Sequence, residues 1–409
     1  MAGGFGARAD GRFDVPIGSV YPSRTAAVRA LFSFSGGNGH LEPMLPVARA
    51  LVAAGHSVSF TCRRSMVSVV EEEGFSASPS GPDLEEQSEI TPLVELDAER
   101  EDRVLRYGFA GRTAAARATD LLTLLRVARP AVVVRDETDF GAAVAAERFG
   151  VACATVLVLA AGSFVRREVV AEALTGVRAG HDLAPDPDLH MLTRGLVLSP
   201  FPPSFRDPAF PLPPTAHAIR PAALDGGTAD PVPPWVARLD DRPLVYATLG
   251  TVFNRESGDL FDRLLEGLRD LPAEIVVTVG RHLDPARFGP QPAHVHVERY
   301  VPQSAVLPRC SAVVSHGGSG SVVGALAHGV PLVVLPLGAD QPLNAARCEA
   351  LGVGRTLDGL RASPADIGGA VRAVLADPAY THNAAAIAAE CGALPEAASA
   401  VPLLERLAG

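Results

Sequence analysis

The sequence predicts an α/β protein of two doubly wound, Rossmann-like domains facing each other across a cleft. Three observations carry that prediction: a strand–loop–helix–strand pattern near the N-terminus, a second series of such units in the C-terminal half, and a proline-dense joint between them. With 409 residues, 47% of them apolar, the chain is too long for one ordinary core and rich enough to fill two.

The first unit opens with Val28 to Ser35, a β-rich run that ends in Gly36-Gly37-Asn38-Gly39. Leu41, Met44, Leu45, Ala48, Leu51 and Val52 then fall on one helical face. Pro43 and Pro46 are tolerated near a helix start, and Gly55 marks the stop. Val58 to Cys62 reads as the next strand, parallel to the first through a right-handed crossover. The pattern recurs at Ala131 to Arg135, followed by Asp136 and a helix over Gly141 to Phe149. Residues 63–125 are more polar and irregular, a connection where a substrate pocket can vary without disturbing the sheet.

Prolines crowd residues 200–235, among them Pro202, Pro203, Pro213, Pro214, Pro233 and Pro234, and predict a stiff connector. The winding restarts beyond it, with strands at Leu244–Leu249, Ile275–Val279, Val295–Glu298, Ala312–Ser315 and Leu332–Leu335. Ser363 and Asp366 read as an N-cap pair opening a later helix. The division that follows is a disordered leader over 1–26, a first domain over 27–215, a linker over 216–235 and a second domain over 236–409, whose last helix is placed to pack back on the first domain.

Composition narrows the function. A net charge of −10 leaves no basic field to neutralise phosphates, which argues against a nucleic-acid partner. Five scattered cysteines without a CxxC pair indicate neither a disulfide framework nor a zinc site, and fit reduced thiols in the cytoplasm. The longest apolar run, Val151 to Ala161, is too short to span a bilayer, and the first residues lack a hydrophobic signal region. Lysine is absent while Ala, Arg, Gly and Pro abound, a bias that fits a GC-rich bacterial genome.

Two stretches carry chemistry. Strand residues Val313 to Ser315 run through His316, Gly317, Gly318, Ser319, Gly320 and Ser321 into a helix. Glycines admit a ligand close to the backbone, and the unpaired N–H groups of a helix start attract an anion; the Ser319 and Ser321 hydroxyls and His316 add to that. A tight turn needed only for packing is the plainer alternative. Downstream, Asp340 and Gln341 follow another strand, where they suit paired sugar hydroxyls, although Asp340 also reads as an N-cap. Upstream, Tyr300, Val301, Pro302 and Gln303 offer an aromatic face and an amide for a base and ribose, with Tyr300 equally at home in a core. In the first half, His40 stands at the mouth of the first helix and Asp136 directly after a parallel strand, on the same sheet edge. A carboxylate that orients an imidazole and stabilises its charged form is a recurring way to build a base. Asp139 is close enough in sequence to take that carboxylate role instead.

The order aromatic-x-Pro-Gln from Tyr300, His-Gly-Gly-x-Gly-Ser from His316, Ala-Leu-x-x-Gly-Val-Pro, and Asp-Gln-x-x-Asn-Ala from Asp340 resembles the signature of inverting GT-B glycosyltransferases that use nucleotide sugars. The resemblance is greatest to bacterial enzymes that decorate antibiotics of the macrolide type, and it extends over almost the whole chain. It implies that His316 and Gly317 to Ser321 hold the donor diphosphate, that Asp340 and Gln341 contact the transferred sugar, that Tyr300, Val301 and Gln303 surround the base and ribose, and that Thr251 faces the diphosphate or sugar. Gly39-His40-x-x-Pro43 is similar to the family's Gly-His-x-x-Pro, whose histidine deprotonates the acceptor, and Asp136 matches its aspartate partner. Two departures, Tyr300 for a frequent Trp and Ser321 for a frequent Thr, keep an aromatic face and a hydroxyl. The implied activity is glycosyl transfer of the hexosyltransferase type, moving a deoxysugar from a TDP- or UDP-sugar to a hydroxyl of a small natural-product aglycone, with inversion and without cofactor or metal.

Three other roles suit parts of the sequence. A nicotinamide-dependent dehydrogenase fails on Glu42, which stands where a third glycine is needed, and on Arg63-Arg64 at the second strand's end, where an acidic ribose ligand belongs. A nucleotide-sugar epimerase shares the architecture but needs no acceptor. A silent glycosyltransferase-like helper has no chemical need of His40 or of the donor motif.

Overall fold

The computed structural model describes residues 27–83, 90–224, 233–236, 242–251, 254–281 and 283–409. The leader over 1–26 and the middle of the expected linker lie outside the described residues. Two parallel sheets organise the chain. The first has strands β1 (Arg29–Ser33), β2 (Ser57–Cys62), β3 (Ser76–Pro79), β4 (Val132–Asp136), β5 (Ala152–Val156), β6 (Leu196–Ser199) and β7 (Ala216–Ala218) in the order β3-β2-β1-β4-β5-β6-β7. The second has β8 (Leu244–Thr248), β9 (Glu274–Thr278), β10 (Val295–Glu298), β11 (Cys310–Ser315), β12 (Leu332–Val334) and β13 (Gly354–Thr356) in the order β10-β9-β8-β11-β12-β13. Chain order reverses between β1 and β4 and again between β8 and β11, and such switch points open a crevice at the strands' C-terminal ends.

The strands read from the sequence are present with ends shifted by a residue or two. Those missed were β3 and β13, short and at sheet edges; β5, hidden in the uniform apolar run after Val151; and β6 and β7, flanked by prolines. Strand β7 lies inside the segment assigned to the linker, so the first sheet continues past residue 215. The stretch 63–125 is also less irregular than its polarity suggests. It holds β3, the helix Ala98–Arg103, a π-helical segment Val104–Thr113 and the helix Ala114–Ala128, which buries Leu121 and Leu125.

Local chemistry explains several boundaries. Pro43 and Pro46 break the first crossover helix into the turns Asn38–Leu41 and Glu42–Met44 and the helix Leu45–Ala53; each proline sits in a first turn, where its missing N–H costs nothing. Ser363 and Asp366 form a reciprocal capping box at the start of helix Pro364–Ala376.

The domains meet along an apolar seam in which Leu157, Phe201 and Phe205 of the first share a buried cluster with Val322 and Leu326 of the second. The last helix, Val401–Ala408, returns to the first domain. Val401 and Leu404 enter its core beside Ala30, Val134 and Val156, and Glu405 meets His56 Nε2 at 3.0 Å. Among the described residues no single helix is long and apolar enough to cross a membrane.

Candidate active site

The first half of the site lies at the β1–β4 switch point. Ser33 pairs with Arg135, so the residues just beyond them, Ser35 and Asp136, emerge side by side. Asp136 is wholly buried and saturated. Its Oδ1 accepts from Thr138 N, Thr138 Oγ1 and Asp139 N; its Oδ2 accepts from Ser35 N at 2.8 Å and faces His40 Nδ1 at 3.2 Å. The His40 ring lies flat against Gly36, where an added Cβ would fall 2.1 Å from Cδ2.

Burial is the largest influence on each partner and opposes both charges. The pair's mutual attraction outweighs it: His40 is raised above its ordinary 6.5, with the charges of Asp340 and Glu137 helping, and Asp136 is held far below the usual carboxylate range. Asp139 does something else. It caps the helix Phe140–Phe149 through Ala142 N, accepts from Ser33 Oγ and forms a two-pronged buried ion pair with Arg117 at 2.9 and 2.7 Å. The carboxylate beside His40 is therefore Asp136.

The second half lies at the β8–β11 switch point, where Gly318 is the N-cap of helix Ser319–Ala327. The His316 ring is clamped between Gly250 and Gly318: a Cβ on either would come within 2.6 Å of it. Gly317 has φ +89 and no room for a side chain against Val334. Burial pushes the His316 imidazole down to about 4, against a hydrogen bond with the Thr248 backbone, so it is neutral at pH 7. Gly320 and Thr251 are exposed and Ser321 is half-buried.

Other side chains are committed differently from the sequence expectation. Ser319 Oγ does not face the open end of the helix; it donates to Asp340 Oδ2 at 2.6 Å and accepts from Ala160 N of the first domain at 2.8 Å. Gln341 is buried, and its Oε1 accepts from Leu337 N and Gly338 N, which leaves only its amide NH2 to face a ligand. Val301 is a core residue, 1% exposed, so its side chain does not line a base pocket. Tyr300 is 46% exposed, with the Arg281 guanidinium 5.2 Å from its ring centroid. Gln303 is partly buried, and its Oε1 lies 3.4 Å from where a Cβ on Gly324 would stand. Asp340 heads helix Gln341–Ala350 as its N-cap residue without a side-chain cap bond, and follows Ala339, whose φ of +51 is strained for a residue with a Cβ.

Residues 262–407 match the family model described as the C-terminal domain of erythromycin biosynthesis protein CIII-like proteins. The 4'-demethylrebeccamycin synthase of Lentzea aerocolonigenes is 32% identical over 93% of this chain and 99% of its own. The chain belongs to the bacterial antibiotic glycosyltransferase family.

Solved structures agree with the fold of this glycosyltransferase, which is GT-B. The glycosyltransferase SnogD from Streptomyces nogalater superposes with TM-score 0.74 at 27% identity, covering 94% of this chain and 100% of that one. Glycosyltransferase VinC, solved with dTDP, gives TM-score 0.74 at 26% identity, covering 93% and 99%.

Two further groups border the site to which the sequence reading gave no role. Glu137 accepts from Val158 N and Leu159 N at 2.6 and 2.9 Å, and burial pushes its carboxyl up to about 7 despite those bonds and Arg206. Asn344 is fully buried and donates to Asp340 Oδ2 at 2.8 Å. The i, i+4 spacing of Asp340 and Asn344 was the available signal for the second; nothing local marks Glu137.

Proposed function

We propose that this glycosyltransferase moves a sugar, of the deoxysugar class, from a TDP-sugar to a hydroxyl of a natural-product aglycone by direct displacement with inversion. The observation that carries the reading is the facing of two half-sites: an imidazole–carboxylate pair at one switch point and a glycine-lined helix start at the other, close enough that the Asp340 charge acts on His40. The dTDP in the related VinC structure supports thymidine as the donor nucleoside.

In this mechanism His40 Nδ1–H donates to Asp136, which fixes the tautomer and leaves Nε2 to take the acceptor's proton. The acceptor oxygen attacks the anomeric carbon as the bond to the diphosphate breaks, and Asp136 stabilises the imidazolium that results. The leaving diphosphate is met by the amides of Gly318 to Ser321 and by neutral His316, while Asp340 and the Gln341 NH2 meet the sugar. Neutral donors and the helix start supply this stabilisation, so a chelator is expected to leave the rate unchanged.

The test pairs binding with product analysis. Calorimetric titration should show saturable binding of TDP in preference to UDP. His40→Ala should keep that affinity and lose about 10²- to 10⁴-fold in turnover on an alcohol acceptor. Normal transfer by the variant would remove His40 from the role of base, and turnover of donor without acceptor would point to epimerisation.

A further inference from the structure

We propose that Ser319 and Asn344 are positioning residues for the Asp340 carboxylate, and that a strap from the first domain sets them. The inference rests on the reading of Asp340 as a contact of the transferred sugar.

The network is continuous. Asp340 Oδ2 accepts from Ser319 Oγ at 2.6 Å and from Asn344 Nδ2 at 2.8 Å. Asn344 Nδ2 also reaches Gly317 O at 2.9 Å and Ser319 Oγ at 3.2 Å, so it ties the glycine turn to the carboxylate. Both partners are then held from the other domain. Ala160 N donates to Ser319 Oγ at 2.8 Å, and Ala161 N donates to Asn344 Oδ1 at 3.2 Å. These amides belong to the segment after β5, whose two preceding amides, Val158 N and Leu159 N, are gathered by Glu137 Oε2. Glu137 is the neighbour in sequence of Asp136, the partner of His40.

Four successive amides of one strap thus link the strand end that carries the base pair to the two side chains that orient Asp340. Burial works against a charged Asp340, and the Ser319 and Asn344 hydrogen bonds favour it, with His40 acting from across the cleft. Holding Oδ2 from two sides leaves Oδ1 directed to the sugar. The carboxylate is fully oriented only while the two domains are docked, so the sugar contact and the docked domain arrangement form together.

A double-mutant cycle tests this, with kcat/KM for the TDP-sugar and the affinity for TDP alone as readouts. Asn344→Ala removes a hydrogen bond to a charged group and should lower kcat/KM by about 10- to 100-fold. TDP affinity should stay within about threefold, because TDP lacks the transferred glycosyl group that Asp340 contacts. Asp340→Ala should cost at least as much, and the double variant no more than Asp340→Ala alone. Glu137→Ala should also combine less than multiplicatively with Asp340→Ala, because its Oε2 gathers the strap amides; only the part that runs through its charge on His40 should multiply. Thermal unfolding identifies a variant that does not fold; if Asn344→Ala is one, Ser319→Ala enters the same cycle. Factors that multiply in the double variants, or a parallel loss of TDP affinity, would overturn the positioning role while leaving the donor site in place. Failure of the unsubstituted protein to bind TDP would overturn the donor site itself, and this inference with it.

Discussion

His40 and Asp136, 96 residues apart in sequence, meet at 3.2 Å because β1 and β4 are neighbours in the first sheet. The imidazole is 22% exposed and the carboxylate not at all, so one member faces the cleft and the other is locked beneath it.

That asymmetry predicts a pH dependence. A base must be unprotonated, and His40 is raised above 6.5, so the acid limb of kcat/KM should have its midpoint above that value. Asp136→Asn removes the charge that offsets burial. The midpoint should then fall below 6.5, and the plateau should drop by about 10²- to 10⁴-fold. A limb that stays in place in Asp136→Asn would assign it to another group. Stability follows the same linkage. The raised His40 contributes fully below its unfolded value of 6.5 and loses that contribution as pH rises through its folded value; the depressed Asp136 contributes above 3.8 and loses it as pH falls. Urea unfolding should therefore show the pair's largest stabilisation between those two values, and Asp136→Asn should flatten it.

Asp139, three residues on, should behave in the opposite way to Asp136. Its partner Arg117 is 2% exposed in its side chain, and the pair sits among Ser33, Ser80 and the start of a helix. Asp139→Ala leaves that guanidinium buried and unpaired and removes a helix cap, a loss of about 3–5 kcal/mol in denaturant unfolding. A shift smaller than 1 kcal/mol, on the order of a surface change, would show that Arg117 finds water or another partner.

The contrast shows what the sequence could and could not say. Both aspartates follow one predicted strand, and spacing alone left either of them available to His40. Only the tertiary position of Arg117, on a helix in the stretch that read as irregular, decides between them. The glycine-lined helix after β11 was legible because its composition and the turn geometry are local. The inward turn of Ser319 was not, because the group that accepts its proton and the amide that donates to it come from elsewhere in the fold. The burial of the Val301 side chain was illegible for a related reason: Tyr300 and Gln303 keep partial exposure, while Val301 fills the apolar seam.

Gly250 is predicted to be indispensable although it touches nothing polar through a side chain. Its φ is +75, and an added Cβ would stand 2.6 Å from both Cε1 and Nε2 of His316. Gly250→Ala therefore carries about 1–3 kcal/mol of backbone strain and also displaces the imidazole from between the two glycines. TDP affinity should fall by an order of magnitude or about that, judged by 1.4 kcal/mol per tenfold change, with secondary structure retained. Wild-type affinity in this variant would mean that His316 does not contact the diphosphate.

The C-terminal helix should matter to both domains. It follows directly from the second domain, yet Leu404 is fully buried in the first domain's core with Val401, and Glu405 pairs with His56, whose Nδ1 accepts from Val28 N at the start of β1. Leu404→Ala removes a buried side chain at a site closed by Leu51, Val134 and Val156, at a cost of about 2–5 kcal/mol. The loss belongs to the first sheet, which carries His40 and Asp136; the second sheet has a separate core of Val245, Leu264 and Ile275, and the glycine-lined helix packs in the seam through Val322 and Leu326. Denaturant unfolding of Leu404→Ala, followed with TDP as a ligand of the second domain, should show the first domain melting earlier while TDP binding persists. Simultaneous loss of both signals would mean that the apolar seam at Phe201 and Phe205 makes the two domains one cooperative unit.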